Sequence, residues 1–133
     1  MIDTVENEPF LQGVGWQYFL RALEWCRKYG LRVNLDLHAV PGSQNGWNHS
    51  GKYGSIGLLM GQAGIINAQR TLNTIRSLTQ FISQPQYENL VPMFSILNEA
   101  QLTVIGATAL REFYFEAYQY VFLPLKGSKA ENR

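Results

Sequence analysis

The sequence predicts an α/β fold with parallel strands, and three observations carry that expectation. Helical and extended periodicities alternate along the chain as helix, strand, loop, helix, strand, loop, helix. The first helix stops two residues before the first strand, the spacing of an αβ unit. Both strands end on polar residues that lead into loops, Asp36-Leu37-His38 in the first and Asn98-Glu99 in the second. Strands linked by helical crossovers run parallel. Chemistry in such folds gathers at the carboxyl ends of the strands.

Taken in order, residues 1–13 are polar and turn-rich, and read as irregular. Trp16, Phe19, Leu20, Leu23 and Cys26 then fall on one stripe with helical spacing and predict a helix over residues 15–29. Arg27 and Lys28 sit where the helix dipole favours cations, and Gly30 is the expected stop. Residues 32–37 alternate strictly: Val33, Leu35 and Leu37 face one side, Asn34, Asp36 and His38 the other. Residues 38–64 form a Gly-rich loop. A loop of that length is functional or disordered, and Trp47, Tyr53 and Leu58-Leu59-Met60 argue for order. A second helix spans residues 64–84. Its face is Ala68, Leu72, Ile75, Thr79 and Ile82, widened by Ile65 and Leu78, and Gln84-Pro85-Gln86 breaks it. Residues 90–97 read as a buried strand with Pro92 near its start. Residues 101–107 read as a loop. Thr108 is placed to cap a last helix over 109–121, with Leu110, Phe113, Tyr114, Ala117 and Val121 on one face. From Leu123 the periodicity stops, so residues 1–122 read as one domain and 123–133 as a tail.

A chain of 133 residues is long enough for one domain with a real core. Its net charge of +1 argues against nucleic acid or a polybasic membrane surface as partner. No apolar run approaches the roughly 20 residues that span a bilayer, and the acidic first ten residues show no secretory h-region. The single cysteine, Cys26, allows no internal disulfide and reads as core packing. Asn48-His49-Ser50 is a formal glycosylation sequon, of a kind that arises easily by chance.

Glu99 is the foremost candidate for chemistry. A carboxyl at a strand end, behind apolar residues, can be desolvated into a general acid; the bland alternative is a surface glutamate in a βα loop. His38 reads as a general base, a metal ligand, a sugar-binding donor or a plain loop histidine. Asp36 reads as a catalytic or, more simply, a structural carboxylate on the wet strand face. With His49 the only other histidine and no ligand spacing, neither a metal site nor a cofactor is expected. Ser43 lacks the Gly-x-Ser-x-Gly frame of a hydrolase elbow. Trp47 and Tyr53 could stack on sugar rings or simply pack within the loop.

The stretch Asp36-Leu37-His38-Ala39-Val40-Pro41-Gly42-Ser43-Gln44-Asn45-Gly46 closely resembles the Asp-Leu-His-x-x-Pro-Gly-Ser-Gln-Asn-Gly segment of fungal exo-β-1,3-glucanases in glycoside hydrolase family 5. Asn98-Glu99 is similar to that family's Asn-Glu-Pro signature. Glu8-Pro9-Phe10-Leu11-Gln12-Gly13 and the helix holding Leu23-Glu24-Trp25-Cys26 are similar to the segment before its third strand. The resemblance implies part of a (β/α)₈ barrel, two to three βα units with parallel strands, from an extracellular retaining hydrolase of β-1,3-glucan. It implies Glu99 as the acid/base, with Asn98, His38, Asn45 and Trp47 as substrate-binding residues and a β-glucan or oligosaccharide as partner.

The chain departs from that pattern. Ala100 stands where the signature has proline. The family's first two strands, its sugar-binding arginine and the seventh-strand nucleophile have no counterpart, in a barrel that takes about 250 residues. A retaining glycosidase needs two carboxyls about 5–5.5 Å apart. The expectation is therefore a truncated, glucosidase-derived chain that does not turn over alone and would act in the cytoplasm if made as it stands. The alternative is a non-catalytic glucan-binding or interaction protein that self-associates through open sheet edges.

Overall fold

The computed structural model describes Glu8 and residues 12–127, with side chains to residue 121. In order the elements are α1 (Val14–Lys28), β1 (Asn34–Asp36), α2 (Gly64–Ile82), β2 (Met93–Ser95), α3 (Leu102–Ile105) and α4 (Ala107–Gly127). β1 and β2 pair in parallel, in the register Asn34 to Met93, Leu35 to Phe94 and Asp36 to Ser95. The expected α/β class with parallel strands is what these elements form.

α1 buries the stripe read from its spacing, with Leu23 innermost and Trp16, Phe19, Leu20 and Cys26 half-buried. It ends as Gly30 predicts. With Gly30 at φ 70, its N–H donates to Arg27 O and the Leu31 N–H to Cys26 O, which satisfies two of the terminal carbonyls in a Schellman motif. The Arg27 guanidinium donates to the Gln86 carbonyl and ties this end to the turn after α2.

Both strands are shorter than their sequence patterns. Pairing continues beyond them as isolated bonds, from Val33 N–H to Leu90 O, from Leu37 N–H to Ser95 O and from Asn98 N–H to Leu37 O. β1 keeps its alternation, with Leu35 half-buried between exposed Asn34 and Asp36.

α2 corrects its predicted face. Ile65 is 83% exposed and Ile66 is exposed too. Gly64 is the reason: a Cβ there would lie 2.6 Å from the Leu59 backbone, so the first turn presses its bare edge inward and sends Ile65 outward. The buried face also takes in Thr71 and Thr74, beside the expected Thr79. Each hydroxyl donates to the carbonyl four residues earlier, at 2.8, 3.0 and 2.8 Å, so polar side chains enter the core without an unmet bond.

Two further expectations are corrected at the C-terminal end. Part of the predicted 101–107 loop is the short helix α3, and Gly106 at φ 94 separates it from α4. α4 therefore starts at Ala107 with Thr108 inside its first turn rather than capping it. α4 also runs past residue 122 to Gly127, where an irregular tail was expected; residues 128–133 lie outside the described residues.

Two apolar clusters result. The larger joins Val40 and Leu58 of the long loop, Leu72 and Ile75 of α2, Ile96 and Leu97 after β2, and Leu110 and Phe113 of α4. The smaller centres on Leu23, Leu90 and Val91, with Phe19, Cys26, Leu35 and Phe81 against it. Full burial of each such side chain contributes about 1.5–3 kcal/mol. Glu8 pairs with Arg70 of α2 at 3.0 Å. Among the described residues no helix is long and apolar enough to cross a membrane.

Candidate functional site

Parallel pairing sets the carboxyl ends of β1 and β2 side by side. The Asn98 N–H donates to Leu37 O at 3.1 Å, so the two strand exits stay in contact after the sheet ends. Asp36 and His38 are two residues apart on an extended segment and share a face. His38 Nδ1 lies 2.8 Å from Asp36 Oδ2. His38 Nε2 lies 3.3 Å from the Asn98 amide nitrogen, and the same amide donates to Glu99 Oε2 at 3.2 Å. The network fits one tautomer: Nδ1–H donates to the carboxylate, and Nε2 accepts from Asn98. Glu99 Oε2 also lies 3.7 Å from His49 Nε2. Asp36, His38, Asn98, Glu99 and His49 thus form one connected row across both strand ends.

The row is wet. The Glu99 side chain is 54% exposed, so the burial expected around this carboxyl is not supplied by the described residues. Its contact with His49, itself 40% exposed, is worth no more than about 1 kcal/mol. Arranged this way, Glu99 presents its carboxyl to solvent and to any ligand laid over the row. Asp36 can fix the orientation of the His38 ring, and Asn98 can place an amide N–H beside the Glu99 carboxylate.

Residues 37–63 form the wall behind the row, and this loop is packed. Val40 and Leu58 anchor it in the larger core. Gly42 adopts φ 76 where a Cβ would meet the Asn67 side chain at 2.3 Å. Ser43, Gln44 and Asn45 are all buried, a reversal of the usual place for a Gly-Ser-Gln-Asn-Gly run. The Ser43 hydroxyl accepts from the N–H of Gly46 at 2.7 Å and contacts the Ser50 hydroxyl, which makes it a turn former rather than a nucleophile. The Gln44 side-chain amide donates to His38 O at 2.8 Å and Asn98 O at 3.1 Å, bridging the strand exits. The Asn45 amide donates to Glu99 O at 3.1 Å while its oxygen accepts from the Trp47 N–H at 2.9 Å.

The sequence candidates therefore divide. His38, Asn98 and Glu99 converge on the row. Trp47 stands at its rim, exposed, with its ring 5.5 Å from that of His49. Asn45, expected among the substrate contacts, is 3% exposed and has its polar atoms engaged with backbone. Tyr53 is 79% exposed at the loop surface. Sequence reasoning missed His49, weighed only as a metal ligand, and the bridging role of Gln44. The signal available for His49 was its place in the same turn as Trp47. Among the described residues no group of three or more His, Cys, Asp or Glu could hold a metal ion.

No protein-family model matches the chain. It is similar to proteins named probable glucan 1,3-beta-glucosidase D. It is 52% identical over 120 residues to that of Aspergillus niger, covering 90% of this chain and 14% of the relative. It is 51% identical over 98 residues to that of Aspergillus flavus, covering 74% of this chain and 12% of the relative. The Aspergillus fumigatus relative is 42% identical over 120 residues, again 90% of this chain and 14% of the relative. The chain thus spans about one seventh of the length of these relatives.

Proposed function

We propose that the row at the strand ends is the acid/base half of a β-1,3-glucan glucosidase site, of the glycoside hydrolase family 5 kind, on two neighbouring strands of a (β/α)₈ barrel. The observation that carries this reading is Glu99 joined through Asn98 to His38 at the exits of two parallel strands, in a chain about half identical to probable glucan 1,3-beta-glucosidases. Glu99 gives a proton to the glycosidic oxygen and later takes one from water. Asn98 and His38 contact the sugar hydroxyls, and the exposed Trp47 stacks on a ring at the entrance.

Two-step retaining hydrolysis needs a second carboxyl as nucleophile. The other carboxyl in the row, Asp36, is engaged by His38. We therefore read this chain by itself as binding glucan without turning it over. A solely glucan-binding role is the second reading, favoured by the exposure of Trp47.

Incubation with laminarin and with a nitrophenyl β-glucoside should release no product, while calorimetry with laminari-oligosaccharides should show weak binding that Trp47→Ala removes. Turnover abolished by Glu99→Gln would overturn the inactivity and establish the acid/base role. No heat from the unaltered chain would overturn glucan binding.

A further inference from the structure

We propose that Gln44 and Asn45 are positioning residues for Glu99, two adjacent buried amides that grip the peptide planes on either side of its α-carbon. The grip stands on the geometry alone; only its consequence for sugar binding rests on the glucosidase reading. The Gln44 amide donates to the Asn98 carbonyl at 3.1 Å, in the plane that precedes the Glu99 α-carbon. The Asn45 amide donates to the Glu99 carbonyl at 3.1 Å, in the plane that follows it. Peptide units are rigid, so holding both planes fixes φ and ψ at residue 99.

The conformation held in this way is one that needs holding. Glu99 sits at φ 47, in the left-handed region that a non-glycine residue keeps only when its surroundings over-determine it. The surroundings do so at four points. Besides the two amides, the Gln101 N–H donates to Gln44 O at 3.0 Å and the Asn98 N–H to Leu37 O at 3.1 Å. At 0% and 3% exposure, Gln44 and Asn45 meet little competition from water. Neither amide can turn over without loss. The Asn45 oxygen already accepts from the Trp47 N–H, and the Gln44 nitrogen already serves two carbonyls, His38 O and Asn98 O. Released from these amides, Glu99 relaxes to negative φ and its carboxylate leaves Asn98 and His49.

Solution NMR on the full chain tests this, because the one-bond Cα–Hα coupling distinguishes positive from negative φ. Glu99 and Leu59, which has φ 62 in the same loop system, should both report positive φ in the unaltered chain. Asn45→Ala, and separately Gln44→Met, should move Glu99 to negative φ and leave Leu59 where it was. Asn45→Ala should also weaken laminari-oligosaccharide binding about fivefold, the worth of one hydrogen bond. A Glu99 coupling unmoved by both substitutions overturns the proposal, and so does a Leu59 coupling that moves with it, since the amides would then hold the loop rather than the residue. If neither variant folds, the unaltered chain still decides: slow solvent exchange of the Gln44 and Asn45 side-chain amide protons supports the grip, and fast exchange overturns it. Failure of the unaltered chain to bind any sugar overturns glucan binding by this chain and leaves the coupling result standing.

Discussion

At the scale of single residues, the loop behind the site is held by atoms that are missing as much as by atoms that are present. A Cβ on Gly51 would lie 2.0 Å from Val40 O and 2.9 Å from Val40 C. Both are backbone atoms next to the side chain that anchors the loop in the larger core, so neither can swing aside. Gly51→Ala should therefore cost about 1–3 kcal/mol, as overpacking does. It should lower the thermal midpoint by several degrees in a calorimetric scan; a midpoint within one degree of the parent would show that Val40 has room to yield. This dependence was not legible beforehand. Spacing showed seven glycines in a loop, but which one faces a carbonyl depends on how the loop closes. The same holds for His49. Its distance to Glu99 spans 50 residues of sequence and follows from the loop's path, whereas Asp36 beside His38 follows from strand alternation and could be read directly.

At the scale of elements, legibility tracked length and periodicity. α1, α2 and α4 are long enough to repeat an apolar stripe, and their spans match the sequence reading to within a few residues except where α4 continues to Gly127. α3 has four residues and no period to repeat. The strands are shorter than their patterns because alternation over 32–37 and apolar content over 90–97 mark extended or buried chain, whereas the paired ladder covers only Asn34–Asp36 and Met93–Ser95. The attachment of α1 is a further property of the folded chain. Its aromatic side chains meet the far end of α2, with Trp16 4.7 Å and Phe19 6.0 Å from Phe81 between ring centroids, and Phe81 in turn 4.3 Å from Tyr87. One ring on α2 thus joins α1 to the turn beyond α2. Phe81→Ala should remove that joint at a cost of about 3 kcal/mol. Amide hydrogen exchange should then show α1 losing protection while the middle of α2 and α4 keep theirs. Uniform loss across all helices would mean that the two clusters unfold as one unit.

At the scale of the whole molecule, a two-stranded sheet is marginal by itself, so the helices and the packed loop hold the strand ends in register. The larger cluster does most of this, and α4 closes it. Tyr114 lies on that closing face, half-buried, with its ring 6.0 Å from Phe113. Burial, and second the neighbouring Tyr118, push its phenol above the ordinary value of 10.0. The sign of the consequence follows from linkage. Below pH 10 the phenol is protonated in both folded and unfolded chains, and the favourable burial is fully present. Above pH 10 the unfolded chain releases this proton first, so the unfolding free energy falls as pH rises through the raised folded value. Urea unfolding followed by circular dichroism from pH 8 to pH 11 should show a loss of stability confined to the alkaline end. Tyr114→Phe should flatten that loss, and Tyr118→Phe should reduce it by removing the second cause. An alkaline slope unchanged in Tyr114→Phe would assign the loss to another group and leave α4 without this link between packing and proton binding.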